Sequence, residues 1–159
     1  MAAQLEDLRR VVLEQFPQVE VDPDAKWGIG FRVPRESLLE VARALRDMPG
    51  VTCDYLSNIT GVDLRDRLQV VYHLIGISSG AKVMLKVDLP PDDPEVDSVT
   101  PVWPGADWHE REAWDLLGIR FRNHPNLKRI LLWEGYEGHP LRKDFVDRRP
   151  RRQRKVRQR

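Results

Sequence analysis

The hydrophobic positions along the chain switch period several times. Near the start Leu5, Leu8, Val12 and Phe16 recur at helical spacing, predicting an amphipathic helix over 4–16 that Pro17 ends. "KWGIGFRV" (26–33) then alternates, with Trp27, Ile29, Phe31 and Val33 on one face and Gly28, Gly30 and Arg32 on the other. That is a strand with one buried side. Pro34 opens a second helix, where a first-turn proline is tolerated; its stripe is Leu38, Val41, Ala42, Leu45 and Met48, and Pro49-Gly50 stops it. Residues 52–62 predict another strand. "RLQVVYHLIGIS" (67–78) and "KVMLKVDL" (82–89) flank Ser79-Gly80, a hairpin pattern in which Val83, Leu85, Val87 and Leu89 face one way and Lys82, Lys86 and Asp88 the other.

Residues 90–104 hold five prolines and no period, so they read as an extended connector. A last helix is predicted over 108–117. Asp107 and Glu110 have the spacing of a capping box, and Gly118 suits the left-handed position that ends a helix. At 100° per residue Ala113, Trp114, Leu116 and Leu117 fall on a broad buried arc. Trp108, Arg111, Glu112 and Asp115 take the other side, where Arg111 and Asp115 are spaced to pair. The order helix, strand, helix, three strands, helix predicts an α+β fold: a two-layer sandwich of a small mixed β-sheet with helices. An extended irregular C-terminal arm follows. The expected organisation is 1–118 as the α+β domain, 119–147 as the arm and 148–159 as a disordered Arg-rich tail.

Charge sharpens this division. Residues 148–159, RRPRRQRKVRQR, carry seven Arg and one Lys with no acid; the rest holds 18 basic against 25 acidic residues and sits near −7. An acidic body with a basic tail implies two different contact surfaces. No apolar run approaches the roughly 20 residues that span a bilayer, and MAAQLEDLRR has no secretory pattern. Membrane association is therefore expected to be indirect, through a partner. The lone Cys53 excludes a disulfide framework and a self-held iron–sulfur cluster, and reads as a small semi-buried side chain.

The motifs that suggest chemistry fall short one by one. Gly28 and Gly30 lie inside a strand without the third glycine of a nucleotide loop. His109-Glu110 begins like a zinc-protease helix, but Ala113 stands where the second histidine belongs. His124 and His139 each precede proline in turn-like sequence and nothing pairs them at metal-binding spacing. No Ser/His/Asp arrangement is visible. What remains is 119–145, where short apolar pieces alternate with polar turns and ordering costs about 1–2 kcal/mol per residue of backbone entropy. A neighbouring surface would offset that cost, so the segment reads as a docking arm. Trp108 beside Arg111 has the composition of a binding hot spot.

"EREAWDLLGIRFRNHPNLKRIL" followed by "GHPLRKDF" resembles the pattern of the 30-kDa-type subunit family, the C subunits of proton-pumping NADH:quinone oxidoreductase, respiratory complex I. The match is dense over 105–145, plausible over 50–104 and weak before residue 50. It falls on Glu110, Arg111, Glu112, Asp115, Leu116, Gly118, Ile119, Phe121, His124, Pro125, Leu127 and Arg129, then runs from Gly138 through Asp144. The resemblance implies a peripheral-arm subunit with no cofactor, metal or catalytic residue of its own. Flavin, iron–sulfur clusters and quinone would reside in partner subunits. It further implies docking onto the quinone-site subunit, which resembles a hydrogenase large chain, a role in assembly and stability, and a place on the cytoplasmic side of the membrane. The partner surface is expected to comprise Trp108, Glu110, Arg111, Glu112, Asp115, His124, Arg129, His139, Arg142, Lys143 and Asp144.

Two departures from the family pattern stand out. The sequence closes on a short Arg-rich stretch where many bacterial members continue, and the quinone-site domain is expected on a separate polypeptide rather than fused to this one. Related membrane-bound hydrogenases and F420H2 dehydrogenases use a similar subunit, which leaves a second donor branch open. A nucleic-acid-binding module acting through 148–159 is a third reading, weakened by the tail's lack of aromatics. A free-standing hydrolase using Glu110 or Glu112 is a fourth.

Overall fold

The computed structural model describes residues 2–147; the expected tail, 148–159, and the side chain of Leu5 lie outside the described residues. Helix α1 (Ala2–Gln15) is followed by β1 (Glu20–Val21), β2 (Ile29–Arg32), α2 (Leu38–Asp47), β3 (Tyr55–Asp63), β4 (Leu68–Ile75) and β5 (Lys82–Leu89). Then come β6 (Glu95–Asp97), α3 (Ala106–Leu117) and β7 (Arg120–Arg122). Five strands form one mixed sheet in the order β1-β2-β5-β4-β3, with β2 and β5 parallel and the other pairs antiparallel. The expected α+β architecture is therefore present.

Register explains why one face of the sheet is dry. Gly61, Val70 and Val87 stand side by side across three strands, and Phe31 stands beside Leu85 and Tyr72. Side chains two residues apart share a face, so Leu68, Leu74, Val83 and Leu89 join them, all buried. Leu8 and Val12 of α1, Phe16 just after it, and Leu38, Val41, Ala42 and Leu45 of α2 complete the same core. The reverse face carries Arg32, Lys86, Asp88 and Gln69, tied by ion pairs and a 2.6 Å hydrogen bond from Gln69 to Asp88. Cys53 is fully buried, deeper than expected, and burial pushes its thiol up to about 12.

Several expectations are corrected. Helix α2 starts at Leu38, because residues 34–37 form a turn rather than its first coil. The proline-rich connector contains β6, which pairs in parallel with β7 (Val96 beside Phe121). Ile119 and Phe121 are consequently core residues, and the irregular arm begins after Arg122 rather than at 119. Helix α3 begins at Ala106 with Gly105 at its N-cap and no side-chain cap, so the Asp107/Glu110 capping box does not form.

Helix α3 lies very close to the sheet. A Cβ at Gly61 would collide with the Leu117 side chain and come within 3.1 Å of Ile119 Cδ1. The smallest residue at that point of β3 sets the distance between the layers.

Candidate functional site

Along α3, Ala106, Glu110, Ala113 and Leu117 form the stripe that meets the sheet, all buried. Asp115 lies on the opposite side, as the helical wheel predicts, yet its exposure is 0%. The reason is the arm: after Arg122 the chain turns back and covers the outer flank of the helix. Asp115 does not pair with Arg111 as expected. Its Oδ2 accepts the backbone N–H groups of Ile130 (3.1 Å), Leu131 (2.9 Å) and Leu132 (2.9 Å). Its Oδ1 accepts Arg129 Nη1 at 2.6 Å.

Burial alone would raise the Asp115 pKa, but these three amides and the guanidinium outweigh it and hold the carboxyl below its ordinary value. Arg129 is itself fixed, donating through Nη2 to the Tyr136 carbonyl at 2.8 Å and lying over the rings of Trp114 and Tyr136. The arm also satisfies the carbonyls that a helix C-terminus leaves open. His139 Nδ1 lies 3.0 Å from the Asp115 carbonyl, and Leu141 N–H donates to Leu116 O at 3.0 Å. Gly118 ends the helix at φ +77° and donates to Trp114 O, and a Cβ there would press to 2.7 Å from the His139 ring.

A second tether lies further along. Asp63, at the end of β3, accepts Lys143 N–H and Arg65 N–H, each at 2.7 Å, and these bonds lower its pKa. Arg142 stands 4.0 Å from Asp63 and donates to the Pro91 carbonyl at 3.4 Å. Arg111 reaches the carbonyls of Lys128 and Arg129 and packs on Trp108, 5.0 Å from its ring centroid. Closer to the root of the arm, Glu110 is also wholly buried, accepting Val99 N–H at 2.8 Å and the Ser98 hydroxyl at 2.6 Å.

The sequence-predicted residues thus separate into two groups. Glu110, Arg111, Asp115, His124, Arg129, His139 and Arg142 make hydrogen bonds within the chain, and Glu110 and Asp115 have no exposed surface to offer. Trp108, Glu112, Lys143 and Asp144 have exposed side chains, although the Lys143 amide is the group that ties to Asp63. Leu131, Trp133, Leu141 and Val146, which sequence reasoning did not place at the surface, are each more than half exposed. It also missed Asp63 and Tyr136. Among the described residues, no group of three or more His, Cys, Asp or Glu could hold a metal ion. His124 and His139 turn to different backbone carbonyls.

A groove of about 910 Å³ runs between the end of α3 and the arm, lined by Leu117, Trp133, Tyr136, His139, Arg142 and Phe145 among others. Trp133 meets Tyr136 edge-on at 4.7 Å, and Tyr136 stacks on Phe145 at 6.2 Å.

Fold and site together define a small mixed α+β domain with a long C-terminal arm strapped to its last helix by the buried carboxylate of Asp115 and to the end of β3 by Asp63. Residues 31–151 match the family described as the 30 Kd subunit of the respiratory-chain NADH dehydrogenase, and the chain belongs to that family. It is 46% identical over 141 residues to the NADH-quinone oxidoreductase C subunit 2 of Rhizobium etli (strain CIAT 652), covering 86% of this chain and 75% of that one. With the NADH-quinone oxidoreductase C subunit of Roseiflexus sp. (strain RS-1) it shares 48% identity over 132 residues, 77% of this chain and 76% of the relative. Among solved structures it resembles the trypsin-resistant fragment (1-134) of Nqo5, with TM-score 0.65 and 27% identity over 78% of this chain and 99% of that one. It also resembles a chain of the membrane-bound sulfane sulfur reductase, an archaeal respiratory membrane complex. There the TM-score is 0.74 at 26% identity, over 89% of this chain and 85% of the other. Among the described residues no helix is long and apolar enough to cross a membrane.

Proposed function

We propose that this chain is a non-catalytic peripheral-arm subunit of a proton-translocating NADH:quinone oxidoreductase. It docks through its C-terminal arm onto the quinone-site subunit and is needed for assembly and stability of the complex. One observation carries the reading. The arm spends its polar groups on its own domain, at Asp115 and Asp63, while presenting Leu131, Trp133, Leu141 and Val146 to solvent. Large apolar side chains held out on a tethered segment are what a partner surface buries at the centre of an interface. Trp108, Glu112, Lys143 and Asp144, whose side chains are exposed, are read as adding charge and an aromatic ring to the partner contact. Flavin, iron–sulfur clusters and quinone belong to the partners, this chain binding none of them, and its contact with the cytoplasmic side of the membrane runs through the complex.

The test is native electrophoresis of membranes solubilised in mild detergent, from cells carrying Trp133→Ser, Leu141→Ser or Asp144→Lys. These side chains are exposed, so the purified variant chains should melt near the wild-type temperature while assembled complex declines. Normal assembly in all three would overturn the reading. Arg142→Glu is less informative, since Arg142 also contacts Asp63 and Pro91 within the chain.

The likeness to a chain of the sulfane sulfur reductase complex supports a second reading, the equivalent subunit of a related membrane complex with another electron donor, such as a membrane-bound hydrogenase or an F420H2 dehydrogenase. Identities of 46% and 48% to NADH-quinone oxidoreductase subunits favour the first. Affinity purification through this chain separates them. Recovery with an NADH-oxidising flavin subunit supports the first and recovery with a hydrogenase centre the second.

A further inference from the structure

Glu110 differs from the other buried carboxyl groups in what surrounds it. Asp22 is paired with Lys86 and Arg32, and Asp115 with Arg129. Among the described residues no lysine or arginine comes within ion-pair distance of Glu110. The groups that face it are Asp107, one turn earlier on α3; His124, after β7; Ser98, after β6, with Thr100 behind it; and Tyr72 of β4, on which the charge of Asp97 of β6 also acts. Asp97 is occupied by Arg122 at 2.9 Å. His124 Nδ1 accepts Asn126 N–H at 3.0 Å, so the ring proton sits on Nε2. That atom lies 3.3 Å from the Asp107 carbonyl and 3.8 Å from Glu110 Oε2. The Tyr72 hydroxyl is fully buried without a hydrogen-bond partner among the described residues.

The bonds that Glu110 does make can be satisfied in either protonation state. Its Oε2 is 2.6 Å from Ser98 Oγ, which is 2.7 Å from Thr100 Oγ1, and Thr100 is half-buried. With the carboxylate ionised, Ser98 donates to Glu110, and Ser98 Oγ accepts from the Thr100 hydroxyl and from Thr100 N–H at 3.1 Å. With the carboxyl protonated, each hydroxyl rotates: Glu110 donates to Ser98 and Ser98 donates to Thr100. Val99 N–H donates to Oε1 in both. No donor or acceptor in this chain is stranded by the change.

We propose that Glu110, Ser98 and Thr100 form a buried proton-binding site, in which the carboxyl exchanges one proton with solvent along the two hydroxyls. On release, the Glu110 proton passes to Ser98 Oγ as the Ser98 hydroxyl proton passes to Thr100 Oγ1 and that of Thr100 leaves to water; uptake runs in reverse. Electrostatics agree with the geometry. Burial raises Glu110 to about 7, the Ser98 and Val99 bonds oppose the rise, and Asp107 adds to it. The proton is therefore exchanged in the neutral range, where a carboxyl in water would already be ionised.

The test is a pH titration of the full chain carrying carbon-13 at its glutamate carboxyls, followed by NMR. One resonance should titrate near pH 7 and be missing in Glu110→Gln. Ser98→Ala, which removes a donor to the ionised form, should move that midpoint upward by about one pH unit. If Glu110→Gln does not fold, the upward movement in Ser98→Ala makes the assignment. All glutamates titrating in their ordinary range in the wild type, or a neutral resonance that survives in folded Glu110→Gln or stays unmoved in Ser98→Ala, overturns the proposal.

Discussion

Asp115 and Arg129 lie fourteen residues apart and meet at 2.6 Å, and through this contact the arm is fastened to α3. The carboxylate serves two kinds of donor at once, a guanidinium on one oxygen and three consecutive backbone amides on the other. Because consecutive amides seldom point at one atom, Ile130 to Leu132 are wrapped around Asp115 and have no regular partner of their own. A single side chain therefore replaces the hydrogen bonds that a strand or helix would have supplied to this stretch. The surface presented by Leu131 and Trp133 is rigid to the extent that this clamp is intact.

Replacing Asp115 by Ala should release the arm without unfolding the domain. Three N–H groups and the Arg129 charge lose their acceptor together, and breaking a buried pair of this sort typically costs about 3–5 kcal/mol. The cost falls on residues 123–145, not on the sheet. Hydrogen exchange should show amides 130–132 losing protection while β4 and β5 keep theirs, and trypsin should cut the variant after Lys128 or Arg129 faster than it cuts wild type there. Unchanged protection at 130–132 would mean that packing, not the clamp, holds the arm.

Gly61→Val should weaken the domain itself. The added side chain meets Leu117 of α3 and Ile119 just after it, where the helix packs on β3. Overpacking of this kind usually costs about 1–3 kcal/mol, readable as a lower urea midpoint with an unchanged slope. The arm's amides should lose protection only in proportion to global stability. A midpoint equal to wild type would show that the layer can shift outward without cost.

How far these features could be read from the sequence depends on the range of the interactions that make them. The alternation in 82–89 and the helical stripe of α2 are local and dense, and both elements formed with the predicted face buried. Strands β6 and β7, three residues each, exist because Val96 and Phe121 pair across twenty-five positions, which no local period announces. At the site the helical wheel placed Asp115 on the correct side of α3. Its burial was invisible because the cover is chain that comes later and has no apolar rhythm. Glu110 was misread as half of a capping box because the competing acceptor role, toward Ser98 and Val99, lies in a segment that looked like featureless connector. Ile119 falls to the arm for the same reason: the strand that follows it, β7, pairs with β6, which lies in that connector. The motif resemblance marked many residues that hold the arm, whereas the exposed Leu131 and Trp133 had no local signal at all.

The pH dependence of stability tests Glu110 independently of any partner. Its carboxyl rises from an ordinary value of 4.5 to about 7 in the folded chain, so between those limits the folded state binds a proton that the unfolded state has released. The contribution is fully present below pH 4.5 and is lost as pH climbs through 7; the gap between the two values corresponds to about 3 kcal/mol. Asp115 and Asp63 act in the opposite sense, since their lowered carboxyls stabilise above their unfolded range and lose that effect as acid protonates them in the fold. The two effects occupy different windows, the aspartates below about pH 4 and Glu110 above it. In Glu110→Gln the amide oxygen can accept Val99 N–H while the amide nitrogen donates to Ser98, which retains the geometry of the protonated form. This variant should match wild type near pH 4 and exceed it at pH 8, with a flatter profile between. Urea melts at intervals across that range decide the matter: parallel curves for the two proteins would show that Glu110 carries no extra proton in the fold.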